Sequence, residues 1–195
     1  MTKGDHVTRY FILVRLCLNA SNIKHGGAIG VAASFLDEVL KKAELGELGW
    51  VSDLTLQVSN NVRNEMRFER LISEDDRIKF EVSPAEMKPL VPSLRRKFDV
   101  RFSIFGPEYA TRKAHVEIAG FADGSLFPPP DATHDLNPIQ SAKLGLLRAI
   151  KLRQLRRYDC LIVETQAMAD MLLRQHSTDA PIWIVPNSPR DVFFD

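Results

Sequence analysis

The sequence has only two cysteines, Cys17 and Cys160. Neither has a second cysteine or a histidine at metal-ligand spacing, so a disulfide framework and a zinc site are both excluded. Each lies inside an apolar run and reads as a buried thiol in a reducing compartment. His6, His115, His134 and His176 form no pair at metal spacing, and no metal site is assigned. No apolar run approaches the roughly 18 residues that a membrane span needs. The N-terminal stretch MTKGDHVTRYFILVRLCLNAS is interrupted by Arg15 and alternates like a strand, unlike a signal peptide. Charge of one sign is also lacking: 26 Lys and Arg face 25 Asp and Glu, for a net charge of +1. Without a global basic field, nucleic acid is not an expected partner. GxGxxG, a P-loop Lys-Ser/Thr, GxSxG, a catalytic Cys-His signature and the kinase set are all absent.

What remains is an ordinary globular composition, 45% apolar and 26% charged, in a length that suits one domain. Apolar strand patterns cover 10–18, 54–58, 78–82, 100–105, 116–121, 159–164 and 182–185. Helical spacing covers 28–43, where Val31, Phe35, Val39 and Leu40 recur, and also 63–71, 139–157 and 165–175, with Thr165 as N-cap of the last. Pro89 and Pro92 leave at most a short helix in 86–97. The stretch 123–138, with three successive prolines, is loop. Alternating strands and helices predict an α/β fold: a Rossmann-like, mostly parallel sheet with helices on both faces. No internal repeat and no composition break marks a second domain. Met168, Met171, Trp50 and Trp183 read as packing residues.

Three stretches carry chemistry. In HGGAIG, His25, Gly26 and Gly27 stand where the first strand passes into the first helix. Glycines there let backbone approach a ligand closely, and a helix start favours phosphate. The spacing GGxxG equally suits a tight turn with close helix–sheet packing. In GFADGSLFPPP, Asp123 follows a strand end, where ligands bind in open α/β sheets; an Asp-Gly turn explains it as well. The helix around KLGLLRAIKLRQLRR holds Lys143, Arg148, Lys151, Arg153, Arg156 and Arg157 and no acid, with Leu144, Leu147, Ile150 and Leu155 marking one face. It suits either an anionic bilayer surface or an ordinary packed helix with cations at its C-terminal end.

The chain ends IWIVPNSPRDVFFD. Ile182 to Val185 reads as a short buried strand, and Val192, Phe193 and Phe194 require something to pack against. Here the motifs meet a family. HGGAIGVAASFLDEVLKK resembles the Gly-rich loop and first helix of the N-terminal half of a GT-B glycosyltransferase of the broad retaining group-1, family-4 type. RRYDCLIVETQAMADMLLRQ resembles the segment that precedes that family's domain crossover. IVPNSPRDVFFD is similar to the signature that closes its N-terminal domain, and RFSIFGPEY and the AGF of AGFADG look like its middle strands. Ser188 and Pro189 depart from the closing pattern, which usually has glycine after the asparagine matched by Asn187.

The resemblance implies that residues 1–195 form one Rossmann-like, acceptor-side domain. The C-terminal nucleotide-sugar domain would be absent, as in a truncated or split enzyme. It implies sugar transfer from a nucleotide diphosphate sugar to a polysaccharide or glycolipid acceptor, with no bound cofactor or metal and little activity from this half alone. Gly26 and Gly27 match the loop against donor diphosphate and acceptor, with His25 beside them. Asp123 falls near the polar position that faces the reacting sugar. Glu164 and Thr165 face the cleft, and Asn187, Phe193 and Phe194 mark the interdomain hinge. Lys151, Arg153, Arg156 and Arg157 are the membrane-facing candidates of a cytoplasmic protein, peripheral at the inner face of the membrane. The alternative is a stand-alone Rossmann-like binding or regulatory domain without catalysis.

Overall fold

The structure, a computed structural model, describes residues 13–67, 75–83, 97–108, 114–122, 137–175 and 179–186. Among the described residues seven strands form one sheet: β1 Val14–Ala20, β2 Val51–Ser59, β3 Ile78–Ser83, β4 Phe98–Ser103, β5 Ala114–Phe121, β6 Cys160–Val163 and β7 Ile182–Ile184. Their order is β3-β2-β1-β4-β5-β6-β7, and every neighbouring pair is parallel. Strand succession runs one way from β1 to β3 and the other way from β4 to β7. Right-handed crossovers therefore place the connecting helices on opposite faces of the two halves. This is a Rossmann-like α/β fold, with its topological switch point between β1 and β4.

The register shows why both faces bury apolar residues. On one face Leu18, Leu54, Leu56, Val58 and Ile78 pack with Ala32, Ala33, Leu36 and Leu40 of α1 (Gly27–Glu44) and Val62 of α2 (Asn60–Glu65). Leu36 and Leu40 are one turn apart, so they fall on one helix face. Phe35, expected in this stripe, is 37% exposed and instead sets its ring edge on Phe102 at 5.6 Å between centroids. Lys41 and Lys42 occupy the last turn of α1, where cations favour the dipole. On the opposite face Ala119, Phe121, Leu161 and Val163 pack with Leu155 at the end of α3 (Pro138–Leu155) and with Ala169 and Leu172 of α4 (Gln166–Gln175). Met168 and Met171 pack beside them, and Cys17 and Cys160 are buried, as expected.

Several local expectations need correction. The second helix spans Asn60–Glu65, starting three residues before the expected 63: the Ser59 hydroxyl caps it by accepting from the Val62 amide at 3.3 Å, and extended backbone at Met66 ends it, while residues 68–71 of the expected helix lie outside the described residues. Pro138 is the first residue of α3, not the end of a loop, because Asn137 and Gln140 form a reciprocal capping box in front of it. Trp183, Ile184 and Val185 are 58%, 41% and 51% exposed, so the strand read as buried is an open sheet edge; Trp50 is also exposed. Leu144, Leu147 and Ile150 do not pack either. Only the last turns of α3 reach the core.

Candidate functional site

At the switch point the loops after β1 and β4 diverge at the carboxyl ends of the strands, where open α/β sheets bind ligands. Side chains from three elements hold the first loop. The Ser59 hydroxyl donates to the carbonyl of Ile23 at 2.5 Å, and Asn61 Nδ2 donates to the carbonyl of Lys24 at 2.7 Å. Asn22 Nδ2 crosses the switch point to the carbonyl of Phe105 at 2.5 Å. At the base, Asn19 Oδ1 accepts from both the amide and the hydroxyl of Ser21, at 3.3 and 2.7 Å. These bonds fix the backbone that leads into the Gly-rich turn.

His25, Gly26 and Gly27 lie exposed at the crest of that loop. Gly26 has φ 73° and ψ −167°, a region essentially confined to glycine. It is the N-cap of α1; no side chain caps the helix, and its first turn contains no acid. A Cβ at Gly27 would meet nothing within 4 Å. The turn therefore presents the positive end of an 18-residue helix to an open space, an arrangement suited to a phosphate or diphosphate.

Beneath the loops lies a buried ionic cluster that the sequence reading did not single out. Arg101 of β4, 2% exposed, is ion-paired with Glu108 of the loop after its own strand and with Glu117 of β5, the latter at 3.6 Å. Glu108 Oε2 also accepts from Asn19 Nδ2 at 3.2 Å, and the Glu108 amide donates to the Tyr158 hydroxyl at 3.0 Å. Burial raises the Tyr158 phenol above its ordinary range. Burial desolvates the Arg101 guanidinium, but Glu108, Cys17 and Glu117 outweigh this and raise its pKa. Burial pushes the Cys17 thiol up to about 12. The cluster ties the β4 loop to the sheet floor. Its signal was present in the sequence: Arg101 and Glu117 are charges inside otherwise apolar strand patterns.

Glu164 and Thr165 do not converge on this turn. Glu164 and Thr165 follow β6, three strand positions from β1, or about 14 Å at ordinary strand spacing. Glu164 is half-buried; the exposed Thr165 accepts from the Met168 amide at 3.2 Å and so caps α4 as expected. Asp123, Asn187, Phe193 and Phe194 lie outside the described residues. On α3 and just beyond it, Arg153, Arg156 and Arg157 are exposed, whereas Lys151 is half-buried. Among the described residues no group of three or more His, Cys, Asp or Glu is placed to hold a metal ion, and no helix is long and apolar enough to cross a membrane.

The fold and the Gly-rich turn define an α/β protein with a phosphate-suited helix start at its switch point. No protein-family model, no curated protein and no solved structure matches the chain.

Proposed function

We propose that the chain is the acceptor-side domain of a GT-B type glycosyltransferase that moves a sugar from a nucleotide diphosphate donor to a polysaccharide or glycolipid acceptor. One observation carries the reading: the exposed His25-Gly26-Gly27 turn stands at the switch point with an uncapped helix N-terminus behind it. The donor diphosphate and the acceptor meet at this turn. Charge on the leaving diphosphate is offset by helix N-termini and by cations of a second domain rather than by a metal ion. Glu164 and Thr165 stand at the carboxyl end of β6, on the same end of the sheet as the turn, and Asp123 serves the reacting sugar.

The test is sugar transfer from UDP-, GDP- and dTDP-sugars by residues 1–195 alone and with the polypeptide encoded directly downstream. Activity only in the combined sample supports the proposal. Measurable transfer by the chain alone would refute a division of labour between two domains. Ligand binding without transfer in either sample favours the alternative, a stand-alone binding or regulatory domain.

A further inference from the structure

The loop between β1 and α1 is held from two flanks just ahead of its crest. From the β2 side, Ser59 and Asn61 donate to the carbonyls of Ile23 and Lys24, at 2.5 and 2.7 Å. From the β4 side, Asn22 Nδ2 donates to the carbonyl of Phe105 at 2.5 Å. The three gripped residues are consecutive, and His25 and Gly26 follow them directly. The Gly26 carbonyl in turn accepts from the Ile29 amide at 3.2 Å, at the start of α1. The placement of Asn22, Ile23 and Lys24 therefore sets where the turn and the helix start lie.

The two flanks differ in what stands behind them. Ser59 and Asn61 belong to β2 and α2, on the same side of the switch point as the turn. Asn22 crosses the switch point, and its acceptor is braced on both sides. The Ile104 amide donates to the Asn19 carbonyl at 2.9 Å, and the Gly106 amide donates to the Gly120 carbonyl at 2.7 Å. Glu108, three residues beyond Phe105, is ion-paired with buried Arg101, accepts from Asn19 Nδ2 and donates its amide to the Tyr158 hydroxyl. Asn22 itself is exposed, so its side chain can be changed without opening the core.

We propose that Asn22 is a positioning residue for sugar transfer: it sets the turn at His25, Gly26 and Gly27 against the braced β4 loop and touches no substrate itself. The inference rests on the reading that transfer takes place at this turn. Charge on a leaving diphosphate grows in the transition state, so groups that offset it act through their placement. Misplacing such groups by about 1 Å costs about a hundredfold in rate. Without the Asn22 donor, Ser59 and Asn61 still hold one flank of the loop, but its distance from β4 is no longer fixed.

The test combines transfer kinetics of the two domains together with amide exchange of the full chain, for Asn22→Ala, Asn22→Asp and Asn22→Gln. Asn22→Ala and the nearly isosteric Asn22→Asp lose the donor and should lower kcat about tenfold or more, with KM within about twofold. Asn22→Gln keeps an amide donor on a longer stem and should recover most of the activity. The thermal midpoint should fall by no more than about 4 °C in any of them, because one exposed hydrogen bond is at stake. In Asn22→Ala the Ile29 amide should exchange about fivefold faster or more, whereas the Leu54 amide of β2, bonded to the Arg77 carbonyl, should not change. An unchanged kcat in Asn22→Ala, a raised KM at constant kcat, an equal loss in Asn22→Gln, or unchanged Ile29 exchange would each overturn the proposal. If the original chain transfers no sugar from any donor, the functional reading fails by itself, and the Ile29 exchange still decides whether Asn22 places the turn.

Discussion

Asn19 at the end of β1 and Glu108 in the loop after β4 meet at 3.2 Å, joining the two strands that flank the switch point. Through Glu108 the bond extends to buried Arg101 and from there to Glu117. The floor of the candidate site is thus one connected polar unit rather than an apolar layer. Its removal should be costly. Arg101→Met leaves two carboxylates buried without their cation and is expected to destabilise the fold by about 3–5 kcal/mol. Urea unfolding of the variant measures this; a loss below about 1 kcal/mol would show that the carboxylates find other compensation.

A close backbone approach beside this cluster gives a second expectation. The Gly106 amide donates to the Gly120 carbonyl at 2.7 Å, and a Cβ at Gly120 would lie 2.0 Å from the Ile104 carbonyl oxygen. Backbone cannot yield as a side-chain tip does. Gly120→Ala should therefore cost about 3 kcal/mol or more, at the upper end of overpacking. Gly27→Ala, with nothing within 4 Å, should cost none. Thermal melts of the two variants provide the contrast.

The Arg15 and Asp99 side chains form a bidentate pair at the opposite end of the sheet, at 2.8 and 3.1 Å. The pair, reinforced by the Arg15 backbone amide, lowers the Asp99 carboxyl from 3.8 to about 2. A depressed carboxylate pKa means that the stabilisation is fully present above about pH 4 and is lost as pH falls towards 2. Because both side chains are partly exposed, the contribution is only about 0.5–1 kcal/mol. Asp99→Asn should lose that amount at pH 6, and its deficit against the original chain should vanish as pH falls towards 2, as read by denaturation of both at each pH.

Burial raises both thiols. Neither Cys17 nor Cys160 should react with a thiol reagent at pH 8 in the folded protein, and both should react in denaturant. Since the unfolded thiols ionise near 9, the raised native pKa leaves stability unaffected below that pH and lowers it as pH rises beyond. Fast labelling of the native chain would contradict the packing at Cys17.

Much of the architecture was legible in the sequence because it is local. Helical spacing marked α1 to within one residue of each observed end, and the strand pattern marked β1 but stopped two residues short of Ala20, while 10–12 of that pattern lie outside the described residues. What was not legible depends on partners distant in the chain. Arg101, Glu108 and Glu117 span 16 positions but meet only because β4 and β5 pair. Trp50, Trp183 and Leu144, Leu146 and Leu147 of α3 have apolar chemistry that usually signals burial, yet the turn before β2, the sheet edge and the length of α3 leave them in solvent. Periodicity finds a face; it does not say what covers it. The same limit applies to the site. The turn at His25, Gly26 and Gly27 was visible, whereas its bracing by Ser59 and Asn61 depends on β2 lying beside β1.

The most direct test of the central claim is sugar transfer by the combined domains, measured with Gly27→Ala beside the original chain. The substitution adds one methyl group in open space at a helix start, so stability should stay level or rise by about 0.5–1 kcal/mol. If the turn holds a diphosphate or sugar against its backbone, transfer should fall about tenfold or more, equivalent to about 1.4 kcal/mol of lost interaction. Unchanged transfer by Gly27→Ala, or no transfer with any donor sugar, would contradict the account.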